Sequence, residues 1–145
     1  MNQTLQERRH NTGQLIQELL EERQQLWSQY CALSGMQPFA SGEPLDIKIQ
    51  EFCGLLVDYI SLGHFGIYQR LTDGSERRGR ILRVAEKIYP RIIQATGTAV
   101  DFNDKYEKLS GDALREHLAE DLSKLGEELV LRNDLEDQLL AAMTS

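Results

Sequence analysis

Residues 55–68 read Leu-Leu-Val-Asp-Tyr-Ile-Ser-Leu-Gly-His-Phe-Gly-Ile-Tyr, and this stretch decides the fold. With its neighbours it repeats apolar residues every three to four positions, which is the spacing of one helix face. The repeating residues are Ile49, Phe52, Cys53, Leu56, Ile60, Gly63, Ile67 and Leu71. Because this stripe is long and continuous, it predicts a helix that packs one face against a hydrophobic core.

A second row of residues lies on another face of the same helix. Each residue of an α-helix turns by about 100°, so Asp58 and Phe65 lie nearly above one another, with Ser61 beside them. An acid, a hydroxyl and an aromatic ring in one row suit a protein partner better than a chemical reaction. Two glycines flank His64 and Phe65, and they predict a loosened or kinked helix at this point.

The same periodicity predicts three more helices and no strand. The four helices cover about residues 4–34, 45–72, 76–108 and 112–143. Pro90 lies inside the third helix and predicts a kink or a break near Tyr89. The expected fold is therefore all-α, an antiparallel four-helix bundle with kinks in helices two and three, formed by one domain of residues 1–145.

Composition and charge narrow the class of protein. The chain is 41% hydrophobic and 27% charged, with a net charge of −7. An acidic surface disfavours direct nucleic-acid binding and suits a basic protein partner, although solubility alone also explains the charge. The chain has no apolar run near the roughly 20 residues that span a bilayer, and its start lacks the apolar region of a secretory signal. We expect a cytoplasmic protein with no nucleic-acid or membrane partner.

Charged residues interrupt the apolar stripes of two predicted helices. Arg23 lies on the apolar side of helix one, and Arg132 and Glu136 continue the leucine spacing of helix four. A lone buried charge costs on the order of several kcal/mol, so inward-pointing charges would need one another. One interpretation is an internal polar network of these three residues, with Asp58 as a further candidate. The alternative leaves them at the solvent edge, where long charged side chains keep their heads in water.

Catalytic and metal-binding motifs are missing from the sequence. His10, His64 and His117 are far apart, and no Cys-x-x-Cys, His-Glu-x-x-His, Gly-x-Ser-x-Gly or Walker pattern occurs. We therefore predict that the protein is not an enzyme and requires no cofactor and no metal. The alternative function that remains is a helical bundle that holds a metal or a small ligand at the internal polar cluster.

One stretch concentrates positive charge at the start of the third helix. A nucleic-acid patch is one interpretation of this stretch, whereas neutralisation of the acidic helices one and four, or solvation, explains it more simply. A second partner also remains open, an acidic regulatory protein that binds through Arg77, Arg78, Arg80 and Arg83.

Several blocks of sequence, in order over nearly the whole chain, resemble one family. They are residues 50–68 (Gln-Glu-Phe-Cys-Gly followed by the stretch quoted above), residues 87–90 (Lys-Ile-Tyr-Pro) and residues 122–129 (Leu-Ser-Lys-Leu-Gly-Glu-Glu-Leu). Residues 23–26 (Arg-Gln-Gln-Leu) and 135–137 (Leu-Glu-Asp) fit as well. On these blocks the chain resembles the Rsd/AlgQ regulators of the primary sigma factor, which are bacterial anti-sigma proteins.

The resemblance implies an all-helical protein that binds the primary sigma factor of RNA polymerase, mainly its basic, −35-recognising carboxy-terminal region. Binding would block the contact of sigma with core polymerase and promoter DNA, and favour alternative sigma factors in stationary phase. The resemblance also implies that Asp58, Ser61 and Phe65 form part of the sigma-binding surface. We add His64 and Tyr68, which belong to the same block. In helix one, residues 17–19 (Gln-Glu-Leu) depart from the Asp-Arg-Trp of some relatives.

Overall fold

The structure, a computed structural model, describes residues 5–39, 43–72 and 78–144. Its elements are α1 (Leu5–Ser34), α2 (Glu43–Gly63), a π-helical turn (His64–Tyr68), α3 (Gln69–Thr72), α4 (Gly79–Glu107), α5 (Gly111–Glu116) and α6 (Leu118–Thr144). These ranges contain no strand, so the all-α prediction is confirmed. The antiparallel order of the bundle and its kinks remain predictions.

The long helices pack in a closed sequence of neighbours. α1 packs against α2, α2 against α4, α4 against α6, and α6 back against α1. Each contributes side chains to one continuous hydrophobic core, including the fully buried Leu19, Phe52, Leu56, Ile81 and Leu125. The apolar stripe of the quoted stretch lies against this core, because burying apolar surface is the main favourable contribution to folding.

Helix α4 continues through Pro90 without a break, so the break near Tyr89 that we considered is absent. Proline lacks the N–H that would bond to the carbonyl of Glu86, four residues earlier. Both residues lie on the exposed face of α4, where water can bond to the free carbonyl. The missing hydrogen bond is therefore tolerated within a continuous helix.

The π-helical turn lies where the two glycines predicted an irregular helix. A Cβ atom on Gly66 would lie 2.8 Å from Cδ1 of Leu15, so the Leu15 side chain of α1 would have to shift to admit a side chain there. A π-helical turn bonds each residue to the fifth one along instead of the fourth, which rotates the residues that follow it. His64 and Phe65 are exposed, whereas Ile67 and Tyr68 are buried.

Candidate functional site

An acidic cleft of about 490 Å³ lies between α1 and α2. The residues that line it are Glu18, Glu21, Glu22, Gln25, Asp58, Ser61 and Leu62. Four of these seven side chains are carboxylates and none is basic, so the cleft concentrates negative charge. Such a cleft attracts cationic groups and raises their local concentration.

The cleft forms because both helices present polar residues at helical spacing. On α1, Glu18, Glu21, Glu22 and Gln25 recur three or four residues apart and therefore share one face. On α2, Asp58 and Ser61 are three apart and meet that face. The three glutamates were not among the predicted site residues, although their helical spacing was a signal.

Phe65 supplies an exposed apolar group close to the cleft in sequence, at the π-helical turn that follows α2. Its side chain is 67% exposed, the largest fraction among the exposed large hydrophobic residues of the described ranges. The ring of His64 meets it edge-on, with ring centroids 4.9 Å apart. The structure thus leaves Asp58, His64 and Phe65 exposed on one helical stretch, with Ser61 half-buried between them.

Tyr68, which was grouped with the predicted partner-binding residues, is buried in this structure and not exposed with Phe65. Its side chain is only 2% exposed. Its hydroxyl donates a hydrogen bond to Oε2 of Glu136, over 2.8 Å. The π-helical turn separates Tyr68 from the face of Phe65 and directs it inward.

Glu136 is the centre of an internal polar network. It is fully buried on α6 and accepts hydrogen bonds from Arg23 Nη2 at 2.6 Å, Tyr59 Oη at 2.5 Å and Tyr68 Oη at 2.8 Å. Arg23 also donates to Oδ1 of the more exposed Asp137, at 2.8 Å. One carboxylate of α6 therefore binds donors from α1, α2 and the π-helical turn.

Arg132 contributes a second buried positive charge, and its side chain is 1% exposed. Its Nε lies 3.9 Å from Oε2 of Glu136. The guanidinium also lies over the rings of Tyr59 and Tyr68, at 5.1 and 5.7 Å from their centroids. A carboxylate and two aromatic faces therefore balance the charge of Arg132.

The structure thus places Arg23, Arg132 and Glu136 together, and it leaves Asp58 outside the network because Asp58 is exposed. Burial raises the pKa of Tyr59 and of Tyr68, and the negative charge of Glu136 raises both further. Both tyrosines therefore remain protonated donors. Their donor role was not apparent from the sequence, where Tyr68 was assigned to the partner-binding residues.

The network extends to Trp27 through Asn133. The side-chain amide of Asn133 donates to the hydroxyl of Tyr59 at 2.9 Å, and Trp27 Nε1 donates to Oδ1 of Asn133 at 2.6 Å. For Arg23, burial lowers the pKa, but the hydrogen bond and charge of Glu136 outweigh burial and raise it overall. Arg23 therefore remains charged beside Glu136.

Two residues of the basic stretch bind the end of α6 within the same chain. Arg78 Nη1 donates to the carbonyl of Met143 at 3.4 Å, and Arg80 Nη2 donates to the carbonyl of Ala142 at 3.1 Å. A positive charge at a helix carboxy terminus is favourable because the last carbonyls there carry partial negative charge. Arg83 is exposed, and Arg77 lies outside the described residues.

Comparison with known proteins identifies the family of this chain. Residues 1–144 match the sequence profile of the family described as Regulator of RNA polymerase sigma(70) subunit, Rsd/AlgQ. The chain belongs to the Rsd/AlgQ family. Regulator of sigma D of Yersinia pseudotuberculosis serotype O:1b is 34% identical over 143 residues, covering 95% of this chain and 84% of the relative.

Two more curated relatives carry the same name. Regulator of sigma D of Yersinia enterocolitica is 34% identical over 143 residues, covering 95% of this chain and 85% of the relative. That of Salmonella paratyphi A is 33% identical over 144 residues, covering 95% and 86%. No solved structure matches the chain. The predicted resemblance to the Rsd/AlgQ family is confirmed, and this family is described as a regulator rather than as an enzyme.

The metal-binding alternative would place a cation at the internal polar network. Among the described residues, no group of three or more His, Cys, Asp or Glu side chains is placed to hold a metal ion. In the internal network, Arg23 and Arg132 lie beside Glu136, and their charges would repel a cation. No helix in the described ranges has the length and apolar character needed to cross a membrane.

Proposed function

We propose that this protein is an anti-sigma factor that binds the primary sigma factor of RNA polymerase, mainly through the −35-recognising carboxy-terminal region of sigma. Binding would block the contact of sigma with core polymerase and promoter DNA, and so favour alternative sigma factors in stationary phase. Membership of the Rsd/AlgQ family supports this proposal. The single observation that carries it is the acidic cleft between α1 and α2, which Asp58 and Ser61 line a short distance in sequence before the exposed Phe65.

The charges of the two partners are complementary. A protein region that binds promoter DNA needs basic side chains to neutralise phosphates. The four carboxylates of the acidic cleft offer those side chains an alternative set of negative groups. Phe65 adds an apolar anchor, and interfaces commonly combine a few buried aromatic anchors with surrounding charged contacts. The same surface of sigma would thus be occupied either by DNA or by this protein.

The first experiment is isothermal titration of this protein with the isolated carboxy-terminal region of the primary sigma factor, at two salt concentrations. We expect saturable binding that weakens at the higher salt concentration, because exposed charges are screened over about 10 Å at 0.1 M ionic strength. The absence of binding at both salt concentrations would contradict the proposal for this region of sigma.

Asp58→Ala is expected to weaken binding of sigma by about 1–3 kcal/mol, because it removes one partner of a charge-assisted contact. The matched control is Asp104→Ala, since Asp104 is an exposed carboxylate of α4 that does not line the acidic cleft. Equal affinity of the Asp58 variant and the parent protein would remove Asp58 from the interface.

Phe65→Ala is expected to weaken binding through lost apolar contact, by about 1–3 kcal/mol. Because the ring is 67% exposed in the free protein, thermal stability should change little. Ile93→Ala on α4 is the control, because Ile93 is likewise exposed and apolar, at 51%. A large loss of stability with unchanged affinity would assign Phe65 to the fold instead of the interface.

A further inference from the structure

We propose that Tyr68 is a positioning residue for Phe65. The hydrogen bond from the Tyr68 hydroxyl to Glu136 holds the π-helical turn in place, and this turn presents Phe65 on the binding surface. The inference rests on the proposed function, because the quantity that it predicts is the affinity for sigma.

The exposures of the two rings show what the π-helical turn achieves. In a regular α-helix, residues three apart lie on the same face. Phe65 and Tyr68 are three apart, yet Phe65 is 67% exposed and Tyr68 is 2% exposed. A π-helical turn has more residues per turn than an α-helix and therefore separates the two directions more widely. The turn allows one ring to face solvent while the other reaches the buried network.

Glu136, the acceptor of the Tyr68 hydrogen bond, is itself held in place by other residues. Glu136 is held by Arg23 and Tyr59 independently of the turn, so Tyr68 docks onto an acceptor that other helices position. The Tyr68 ring also lies 6.0 Å from the ring of Tyr89 in α4, measured between centroids. Because π-helical turns are rare and occur mostly as single turns inside α-helices, we expect a specific contact to favour this one.

Loss of the hydrogen bond from Tyr68 to Glu136 would remove the contact that favours the π-helical turn. The segment could then relax toward α-helical geometry, which changes the direction of Phe65 relative to Asp58. Binding would suffer even though neither Phe65 nor Asp58 is altered. A residue that serves only stability would lower the melting temperature and leave the affinity of the folded protein unchanged.

The test compares Tyr68→Phe with Tyr59→Phe. Both substitutions remove one hydroxyl that donates to Glu136, but Tyr59 lies within regular α2 and outside the turn. Affinity for the sigma carboxy-terminal region is measured at a temperature where both variants are folded. We expect Tyr68→Phe to bind roughly five- to tenfold more weakly than the parent, and Tyr59→Phe to bind within about twofold of it.

A double-mutant cycle with Phe65→Ala completes the test. When the Phe65 ring is absent, Tyr68→Phe should change affinity by less than about twofold, because its effect acts through that ring. Equal effects of the two tyrosine variants, or additive effects of Tyr68→Phe and Phe65→Ala, would overturn the positioning role. Failure of the parent protein to bind would overturn the proposed function as well, so the two failures are distinguishable.

A second variant serves if Tyr68→Phe does not fold. A Cβ atom added at Gly63 would lie 3.1 Å from Nη2 of Arg132 and 3.2 Å from Cε2 of Tyr68, so Gly63→Ala presses on the Tyr68 ring and on the guanidinium beside it without removing the hydroxyl. We expect weaker sigma binding by this variant and unchanged binding by Gly97→Ala, whose Cβ would meet nothing within 4 Å. Unchanged binding by both would count against the positioning role.

Discussion

At the scale of single residues, Glu136 is the side chain on which we expect the stability of this protein to depend most. It is fully buried, and it accepts hydrogen bonds from three side chains that are remote in sequence. Removing one partner of a buried charge network is far more costly than removing an exposed ion pair, because the remaining charges keep no compensating group. The stability of the bundle should therefore depend strongly on this one carboxylate.

Glu136→Ala should lower the free energy of unfolding by about 3–5 kcal/mol, since it leaves Arg23 and two tyrosine hydroxyls without their acceptor and the buried Arg132 without its nearby carboxylate. Asp137→Ala is the matched control, because Asp137 binds the same Arg23 but its side chain is 57% exposed. We expect the control to lose less than about 1 kcal/mol. Urea unfolding monitored by circular dichroism measures both values, and losses of equal size would refute the assigned difference.

Residue types alone revealed part of the candidate site. The position of Arg23, Arg132 and Glu136 on apolar stripes suggested an internal network as one of two interpretations, and the structure places the three side chains together. The spacing could not distinguish a buried network from a solvated edge, because that depends on which faces of α1 and α6 approach each other. For the same reason, the sequence did not show that the glutamates of α1 line a cleft.

At the scale of elements, the helices follow the apolar periodicity closely, whereas the π-helical turn does not follow from the sequence. Glycine indicates where a helix departs from regular geometry, but not in which way. That outcome depends on the close approach of Leu15 to Gly66 and on the docking of Tyr68 onto Glu136. Both are tertiary contacts, so periodicity within one helix could not predict the burial of Tyr68.

Helices α1 and α6 approach each other closely at Gly126, and substitution of this glycine by alanine tests that approach through its effect on stability. A Cβ atom on Gly126 would collide with the hydroxyl of Tyr30 and lie 2.7 Å from its Cζ. Gly126→Ala should therefore destabilise the protein by about 1–3 kcal/mol, because the Tyr30 ring must move from its hydrogen bond to the carbonyl of Leu122.

Gly97→Ala on α4 is the control for that substitution. An added Cβ there meets nothing within 4 Å, and alanine favours the helix over glycine. The expected change in the free energy of unfolding is a gain of about 0.5–1 kcal/mol. Thermal and urea unfolding of both variants would contradict the close approach if both glycines tolerated alanine equally.

At the scale of the whole molecule, buried thiol and phenol groups make the stability of the protein depend on pH in the alkaline range. Burial raises the pKa of the Cys53 thiol to about 11, with a smaller contribution from the charge of Glu107. Burial also raises the pKa of Tyr59, Tyr68 and Tyr106. A raised pKa means that the folded state retains protons that the unfolded state loses, so the stabilisation holds at neutral pH and declines as pH rises.

The free energy of unfolding should fall between pH 9 and pH 11, starting at the ordinary pKa of a thiol near 9.0 and continuing to the value of about 11 in the folded protein. Cys53 should account for about 1–2 kcal/mol of this loss. Urea unfolding at a series of pH values should show a smaller loss for Cys53→Val and the parental loss for Cys31→Val, because Cys31 is exposed. Identical pH profiles of both variants would exclude Cys53 as a source.

The internal network also bears on which arrangement of helices the chain adopts. Leucine-rich amphipathic helices can close into a bundle in more than one register with similar apolar burial. Only an arrangement that brings Arg23, Tyr59 and Tyr68 to the same point supplies Glu136 with its donors. In a bundle with a shifted register, the Glu136 carboxylate would lie in an apolar interior without its hydrogen-bond donors. We infer that Glu136 discriminates against misassembled bundles.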